Sequence, residues 1–193
     1  NDFIVEEPIV LPPESSEKEQ LLIPQKIVED DGFVMWFKQD VTFKMPKGYL
    51  YIGIDAPVTY ETHKQIAMTR LFADLYSDAV VEAHYDAELA GIHYHLYSHQ
   101  GGLTLQISGV SEKQHLLLEK LLAELQKCSF SEQKFELIKH QLIKHWNNSD
   151  NSKSISQLFS ALSSTIQPNS PSSETLSKAL SGINYQEFSQ YCS

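Results

Sequence analysis

Hydrophobic and polar positions alternate with period two in the early part of the chain. Apolar and aromatic runs occupy residues 33–37 and 49–54. In the second run, every other residue is aliphatic: Leu50, Ile52 and Ile54. This alternation is typical of a strand with one buried face. Residues 45–48 are turn-forming and lie between the two runs. We therefore predict that they join two strands.

After Pro57 the hydrophobic period changes to that of a helix. Apolar residues recur three or four positions apart at Met68, Leu71, Phe72, Leu75, Ala79 and Ala83. This stripe predicts a helix that packs one face against the sheet and ends at Gly91. Two alternating runs then flank Gly101 and Gly102, at residues 92–97 and 103–107, and predict an antiparallel hairpin.

The rest of the chain has a helical pattern. Capping boxes predict the starts of two helices, Ser111 with Gln114 and Ser129 with Glu132. Their apolar positions are Leu118, Leu121, Leu122 and Leu125 in the first, and Phe135, Ile138, Leu142 and Trp146 in the second. A further helix contains Leu158, Phe159 and Leu162 and ends by Pro168, and short helices are predicted near residues 173–180 and 184–190.

The order of these elements predicts the fold class. Grouped strands followed by grouped helices are typical of an α+β fold with a largely antiparallel sheet packed by helices. Residues 1–30 contain four prolines and an acidic, serine-containing stretch, so we expect an extended connector there. Residues 31–193 are then expected to form a single α+β domain, a common domain size.

Composition and charge exclude some classes of partner. Hydrophobic residues make up 41% of the chain, enough for a core. The formal net charge of −10 argues against nucleic acid and anionic lipid as partners, since both require clustered basic residues. No apolar run approaches the ~20 residues of a membrane-spanning helix, and residues 1–4 do not resemble a signal peptide. We therefore expect a soluble protein of unknown compartment.

Three histidines are the first candidates for chemistry. His93 and His95 lie two residues apart on a predicted strand, so they share a face and, with His99, could offer imidazole nitrogens to zinc. A zinc site also needs partners that orient its ligands, and the direction of His99 near the loop is undefined. We expect these histidines to be solvent-facing or packed rather than metal-binding.

Other pairs of ionisable residues are placed for ordinary contacts. His140 and His145 are five apart, which on a helix is roughly 140° from a common face. The remaining combinations are His115 with Glu119, and His84 with Asp86 and Glu88. Their spacings are typical of surface contacts along a helix, so we assign them no chemistry.

Motifs of known catalytic chemistry are absent from the sequence. It contains neither H-E-x-x-H nor the inverted H-x-x-E-H, and no G-x-S-x-G, P-loop or dinucleotide fingerprint. Cys128 has no signature of a nucleophile, and both Cys128 and Cys192 are expected to be free thiols. The residues themselves therefore predict no catalytic, cofactor-binding or metal-binding position.

Several stretches carry a resemblance that extends over almost the whole chain. They are residues 1–4 with the proline-containing connector, residues 36–40 (Trp-Phe-Lys-Gln-Asp) with Phe43, Pro46 and Lys47, residues 85–91 ending in Ala-Glu-Leu-Ala-Gly, Gly101-Gly102, Ser108-Gly109, and residues 135–148. In order and spacing they resemble the C-terminal half of the pitrilysin/insulysin family of zinc metallopeptidases, the inverzincins.

This resemblance implies a parent of four homologous domains with the pitrilysin/mitochondrial processing peptidase-like fold, arranged as two bowl-like halves around a peptide-cleaving chamber. Zinc would lie in the first domain, where the inverted motif supplies two His ligands and the Glu that activates water, and a later Glu supplies the third ligand. This chain would be the third, non-catalytic domain. Its corresponding helix, residues 66–77, carries Met68, Leu71, Phe72 and Leu75 instead of that motif.

The resemblance also implies partners and cofactors. Other domains of the same polypeptide and the parent's peptide substrates are the expected partners, zinc is confined to the parent, and the fragment alone is inactive. Bacterial relatives are often periplasmic. Two alternatives stay open: a stand-alone metal-binding module that uses His93, His95 and His99, and an inactive structural or processing-complex subunit.

One departure from the family concerns the end of the chain. Domains of this family usually finish with another strand after the helices, whereas the sequence given stops at Tyr191-Cys192-Ser193. Without that strand one edge of the sheet would be open to intermolecular pairing. We therefore expect that adding the following segment reduces self-association.

Overall fold

The computed structural model describes residues 2–5, 23–40, 43, 45–127, 129–148, 154–167 and 169–192. Five strands and six α-helices form in these ranges. In chain order they are β1 (Gln25–Asp30), β2 (Phe33–Phe37), β3 (Lys47–Asp55), α1 (His63–Leu89), β4 (Ile92–His99), β5 (Gly102–Val110), α2 (Gln114–Lys127), α3 (Glu132–Asn147), α4 (Ser154–Ile166), α5 (Ser173–Ser181) and α6 (Tyr185–Cys192).

A three-stranded antiparallel sheet forms one layer of the domain, in the order β3-β5-β4. Its register pairs Leu50 with Ile107 and Ile52 with Leu105, so the aliphatic residues predicted to share a face do so. Helix α1 packs against β4 on that face, and α3 and α5 pack against α1. Antiparallel strands covered by helices confirm the predicted α+β class.

The first two strands form a separate antiparallel hairpin, which corrects two predictions. Gln25–Asp30 form β1, so this part of the expected extended connector, residues 1–30, has regular structure, while residues 6–22 lie outside the described part. The strands at residues 33–37 and 49–54 both exist, but β2 pairs with β1 and β3 pairs with β5. The Asp31-Gly32 loop explains this pairing, because Gly32 adopts a φ of 76°, a conformation that favours two-residue hairpin turns.

Helix α1 follows the predicted stripe for about half of its length. Thr62 caps its start, since its hydroxyl accepts a hydrogen bond from the Gln65 amide at 3.2 Å. Met68, Leu71, Phe72 and Leu75 are buried as predicted. Ala79 and Ala83 are exposed, and Val80 and Ala87 are buried instead, so the stripe beyond Leu75 was wrong. Successive steps of four drift around a helix of 3.6 residues per turn, and a kink at His84 (φ −128°, ψ 28°) shifts the face again.

Neither predicted capping box forms. Ser111 lies in a short 3₁₀ turn, and the side-chain amide of Gln114 donates instead to the Gly48 and Gly109 carbonyls, at 2.8 and 3.0 Å. At the start of α3, Ser131 is the cap and accepts a hydrogen bond from the Lys134 amide at 3.2 Å. The predicted pair, Ser129 with Glu132, was therefore misplaced by two residues.

An aromatic cluster joins the helices on the side of α1 away from the sheet. Phe135 and Phe188 are fully buried, with ring centroids 5.2 Å apart. Tyr185 packs against Phe135 and donates a hydrogen bond to the Phe130 carbonyl at 2.6 Å. The short helices α5 and α6 form where predicted, and α6 contributes two members of this cluster.

Candidate functional site

His93 and His95 lie on the outer face of the sheet, away from the core. Both are exposed, whereas their neighbours Ile92 and Leu96 are buried. The His95 ring stacks on Tyr97, with centroids 5.6 Å apart. In the described ranges, no group of three or more His, Cys, Asp or Glu side chains is arranged to hold a metal ion. The structure does not bring the three candidate histidines of β4 together as a metal centre.

His99 belongs to a different environment, at the β4–β5 turn. Its Nδ1 accepts a hydrogen bond from the Gly101 amide at 3.1 Å. A neutral ring in this arrangement carries its proton on Nε2 and so has a hydrogen-bond donor left to offer. The orientation of the His99 side chain, which the sequence leaves undefined, is thus fixed by its hydrogen bond within the β4–β5 turn.

The remaining histidines form no common site. Four of them, His63, His115, His140 and His145, are exposed on their helices. His84 is half-buried at the kink of α1, and its Nε2 is buried with no hydrogen-bond partner in the described part of the chain. Burial lowers the pKa of His84, and the positive charge of Lys120 adds to this effect. The predicted absence of chemistry at these positions stays a prediction.

The cysteines were predicted to be free thiols. Cys192 is half-buried at the end of α6, where it lines a cleft of about 340 Å³ together with Phe130 and Phe188. Cys128 lies outside the described residues. Their state therefore stays a prediction.

A cleft of about 410 Å³ lies between α1, the β4–β5 turn and the segment before α5. Helix α1 contributes Ile66, Thr69 and Arg70, whose spacing of three and four places them on one face. The turn adds residues 98–100, and residues 169–170 close the opposite side. A hydrogen bond between the side chains of Gln100 and Gln167 ties these two segments together. We call this the Arg70 cleft.

Arg70 is the charged side chain of this cleft. Its side chain is half-buried, and the next residue along the helix, Leu71, is fully buried in the core. Burial lowers the pKa of the Arg70 guanidinium, and the carboxylate of Asp74, one helical turn away, partly opposes that shift. Burial likewise raises the pKa of Asp74, against the nearby charges of His145 and Arg70. The cation is thus only partly compensated within the domain.

Two apolar surfaces are exposed on the described chain. The hairpin surface consists of Ile27, Phe33, Val34, Met35, Trp36 and Phe37, each between 38% and 59% exposed. The α4 face consists of Ile155, Leu158, Phe159, Leu162 and Ile166, between 49% and 68% exposed. Separately, no helix in the described ranges is long and apolar enough to cross a membrane. Each surface groups five or six exposed apolar side chains on one element or hairpin, whereas exposed apolar residues are ordinarily scattered singly.

Known proteins resemble this chain in sequence and in fold. The family model described as the middle or third domain of peptidase M16 matches residues 1–179. The putative zinc protease mug138 of Schizosaccharomyces pombe is 31% identical over 175 residues, which cover 90% of this chain and 18% of that protein. Insulin-degrading enzyme of Homo sapiens is 33% identical over 148 residues, covering 77% of this chain and 14% of the enzyme. The chain thus spans less than a fifth of these curated relatives.

The crystal structure of pitrilysin has the same fold. It superposes with a TM-score of 0.85 and 18% sequence identity, covering 98% of this chain and 20% of pitrilysin. At that identity the likeness concerns the fold, and it agrees with the α+β architecture described above. Together with the family match, it confirms the resemblance drawn from the sequence. The chain belongs to the peptidase M16 family, the family of pitrilysin and insulin-degrading enzyme, and corresponds to its middle or third domain.

Proposed function

We propose that this chain is the non-catalytic third domain of a zinc metalloendopeptidase and helps to enclose the chamber in which the parent protein cleaves peptides. The match of residues 1–179 to the middle or third domain of the family is the observation that carries this proposal. The parent would hydrolyse peptide bonds with a zinc-activated water held in its first domain. Its other domains and its peptide substrates would be the partners of this chain.

The packing of α1 supports a structural role for this domain. A metal-binding helix of the inverted-motif type must present two imidazoles and a carboxylate to an open site. Here Met68, Leu71 and Leu75 are at most 6% exposed, because they pack in the core. We therefore assign the chain no catalytic, cofactor-binding or metal-binding residue.

The two apolar surfaces support contacts with other domains. Soluble domains rarely leave large apolar patches in water, so such patches mark interfaces. Strand β2 is exposed at every position, so apolar side chains lie on both faces of the hairpin. The α4 face adds a second apolar stripe on a helix whose residues 154–166 include no charged side chain. Contacts with neighbouring domains of the same polypeptide would bury both the hairpin surface and the α4 face.

Hydrogen exchange tests this proposal. The amides of residues 33–37 and 155–166 are expected to exchange at least about tenfold more slowly in the full-length protein than in the isolated chain, because docking removes local opening. Helix α5 is the internal control, since its buried residues Leu176 and Leu180 already pack within the domain. Equal exchange of both apolar segments in the two proteins would contradict the proposal.

A further inference from the structure

Arg70 is the only arginine in the sequence, and it occupies a position where a charge is costly. It is half-buried and lines the cleft beside Ile66 and Thr69, which are buried, and its own burial lowers its pKa. In the ranges that the structure describes, it makes no ion pair within 4.0 Å and no hydrogen bond. A partly desolvated cation is stabilised chiefly by an acidic partner with good geometry.

The lining of the Arg70 cleft is rich in hydrogen-bond donors. Ser98, His99, Asn169 and Ser170 join Arg70, and none of the lining residues that the structure describes is acidic. This is notable in a chain with 25 acidic and 15 basic residues. Two other lining hydroxyls are already engaged within the protein, since Thr59 donates to the Ala56 carbonyl and Thr69 contacts the Tyr191 hydroxyl.

Two carboxylates lie near the cleft without lining it. Asp74 is one turn along α1, and Asp55 lies beside Gly101, where an added Cβ would meet its Oδ1 at 3.3 Å. Both weaken the positive potential, but neither is within ion-pair distance of Arg70. The cleft volume of about 410 Å³ falls within the range of small-ligand sites, so it has room for more than a single ion.

We propose that the Arg70 cleft binds an oxyanion group, either a carboxylate or a phosphate, held by the Arg70 guanidinium and by hydroxyl, amide and imidazole donors around it. The planar guanidinium offers two parallel N–H groups that match both kinds of oxyanion. A peptide carboxylate and an inorganic phosphate share this chemistry. The inference rests on the residues of this chain and does not require the parent to be a zinc peptidase.

Binding measurements on the full-length protein that contains this chain test the inference. Isothermal titration at constant ionic strength would use inorganic phosphate and one short peptide prepared with a free and with an amidated C-terminus. Arg70→Gln is compared with Lys64→Gln, which removes one positive charge from the same helix at an exposed position paired with Glu187. Other anion sites of the protein contribute equally to both variants.

We expect Arg70→Gln to weaken binding of the oxyanion about ten- to hundredfold, and Lys64→Gln to change it less than about twofold. If the effect is confined to the free-carboxylate peptide, the source is a peptide carboxylate, and if it is confined to phosphate, the source is a phosphate. Arg70→Lys keeps the positive charge but removes the guanidinium, so its affinity for the oxyanion should be intermediate. This variant tests the inference if Arg70→Gln does not fold. Equal affinities of the Gln variants for every probe, or no binding of any probe by the unaltered protein, would overturn the inference.

Discussion

Replacing Gly109 with alanine is expected to destabilise the domain by about 3 kcal/mol or more. Gly109 lies in β5 with a φ of 122°, a conformation that side chains rarely tolerate. A Cβ built there would lie 2.0 Å from the Gly91 carbonyl oxygen and 3.0 Å from the Ile92 Cα. Both obstacles are backbone atoms, so no change of rotamer relieves them, and the β4–β5 pairing must shift.

The matched control is Gly53→Ala in the neighbouring strand β3. Gly53 is exposed, and an added Cβ there would meet no atom within 4 Å. We expect its free energy of unfolding to change by less than about 1 kcal/mol. Urea unfolding of both variants, followed by circular dichroism, measures the difference, and coincident unfolding midpoints would show that the tight approach of β4 and β5 at Gly109 is incorrect.

Truncation of Phe135 to alanine is expected to remove about 3–5 kcal/mol of stability. Its ring is fully buried and lies 5.2 Å from the ring of Phe188 and 5.7 Å from that of Tyr185. Deleting the ring leaves a cavity at the junction of α3 and α6, and these helices cannot collapse into it without losing their packing on α1. Loss of this junction would also weaken the packing of α6 on the domain.

Leu137→Ala in the same helix is the control for Phe135→Ala. Leu137 is 53% exposed, so its truncation removes little buried surface and is expected to cost less than about 1 kcal/mol. The comparison separates the loss of packing from any change in helix propensity, since both variants place alanine in α3. Comparable losses of free energy in the two variants would contradict the described orientation of α3.

The main strands and helices were predictable because their hydrophobic period reflects one buried face. Leu50, Ile52 and Ile54 alternate because β3 buries a single side, and Met68 and Leu71 follow the helical period because α1 packs along one stripe. The prediction for α1 failed after Leu75, because steps of four drift around the helix by Ala79 and Ala83, and the kink at His84 changes the buried face again. A pattern with a fixed period cannot anticipate a local change of helical geometry.

Local signals were less reliable where several residues could satisfy them. Ser129 and Ser131 both precede α3, and the spacing of a capping box selected the former, although the latter makes the hydrogen bond. Strand β1 was assigned to a connector because of the prolines before it, yet the Asp31-Gly32 dipeptide is a hairpin signal that could have revealed it. Few side chains of the β1–β2 hairpin are buried, so the alternation of hydrophobic and polar residues along its strands is weak.

The Arg70 cleft could not be derived from sequence pattern. Its walls come from α1, the β4–β5 turn and the segment before α5, which are far apart along the chain. The sequence offered one clue, a single arginine within the apolar segment that forms α1. The family, in contrast, could be predicted from the sequence, because the stretches that resemble it are spread along the whole chain. The match to the M16 middle domain agrees with that prediction.

Zinc content and peptide hydrolysis, measured side by side on the full-length protein and on this isolated chain, test the central claim most directly. The account predicts stoichiometric zinc and peptide cleavage for the full-length protein, and neither for the isolated chain after dialysis. The double variant His93→Ala/His95→Ala should then leave zinc and cleavage in the full-length protein unchanged. Stoichiometric zinc in the isolated chain that the double variant abolishes would contradict the account and favour a metal-binding module.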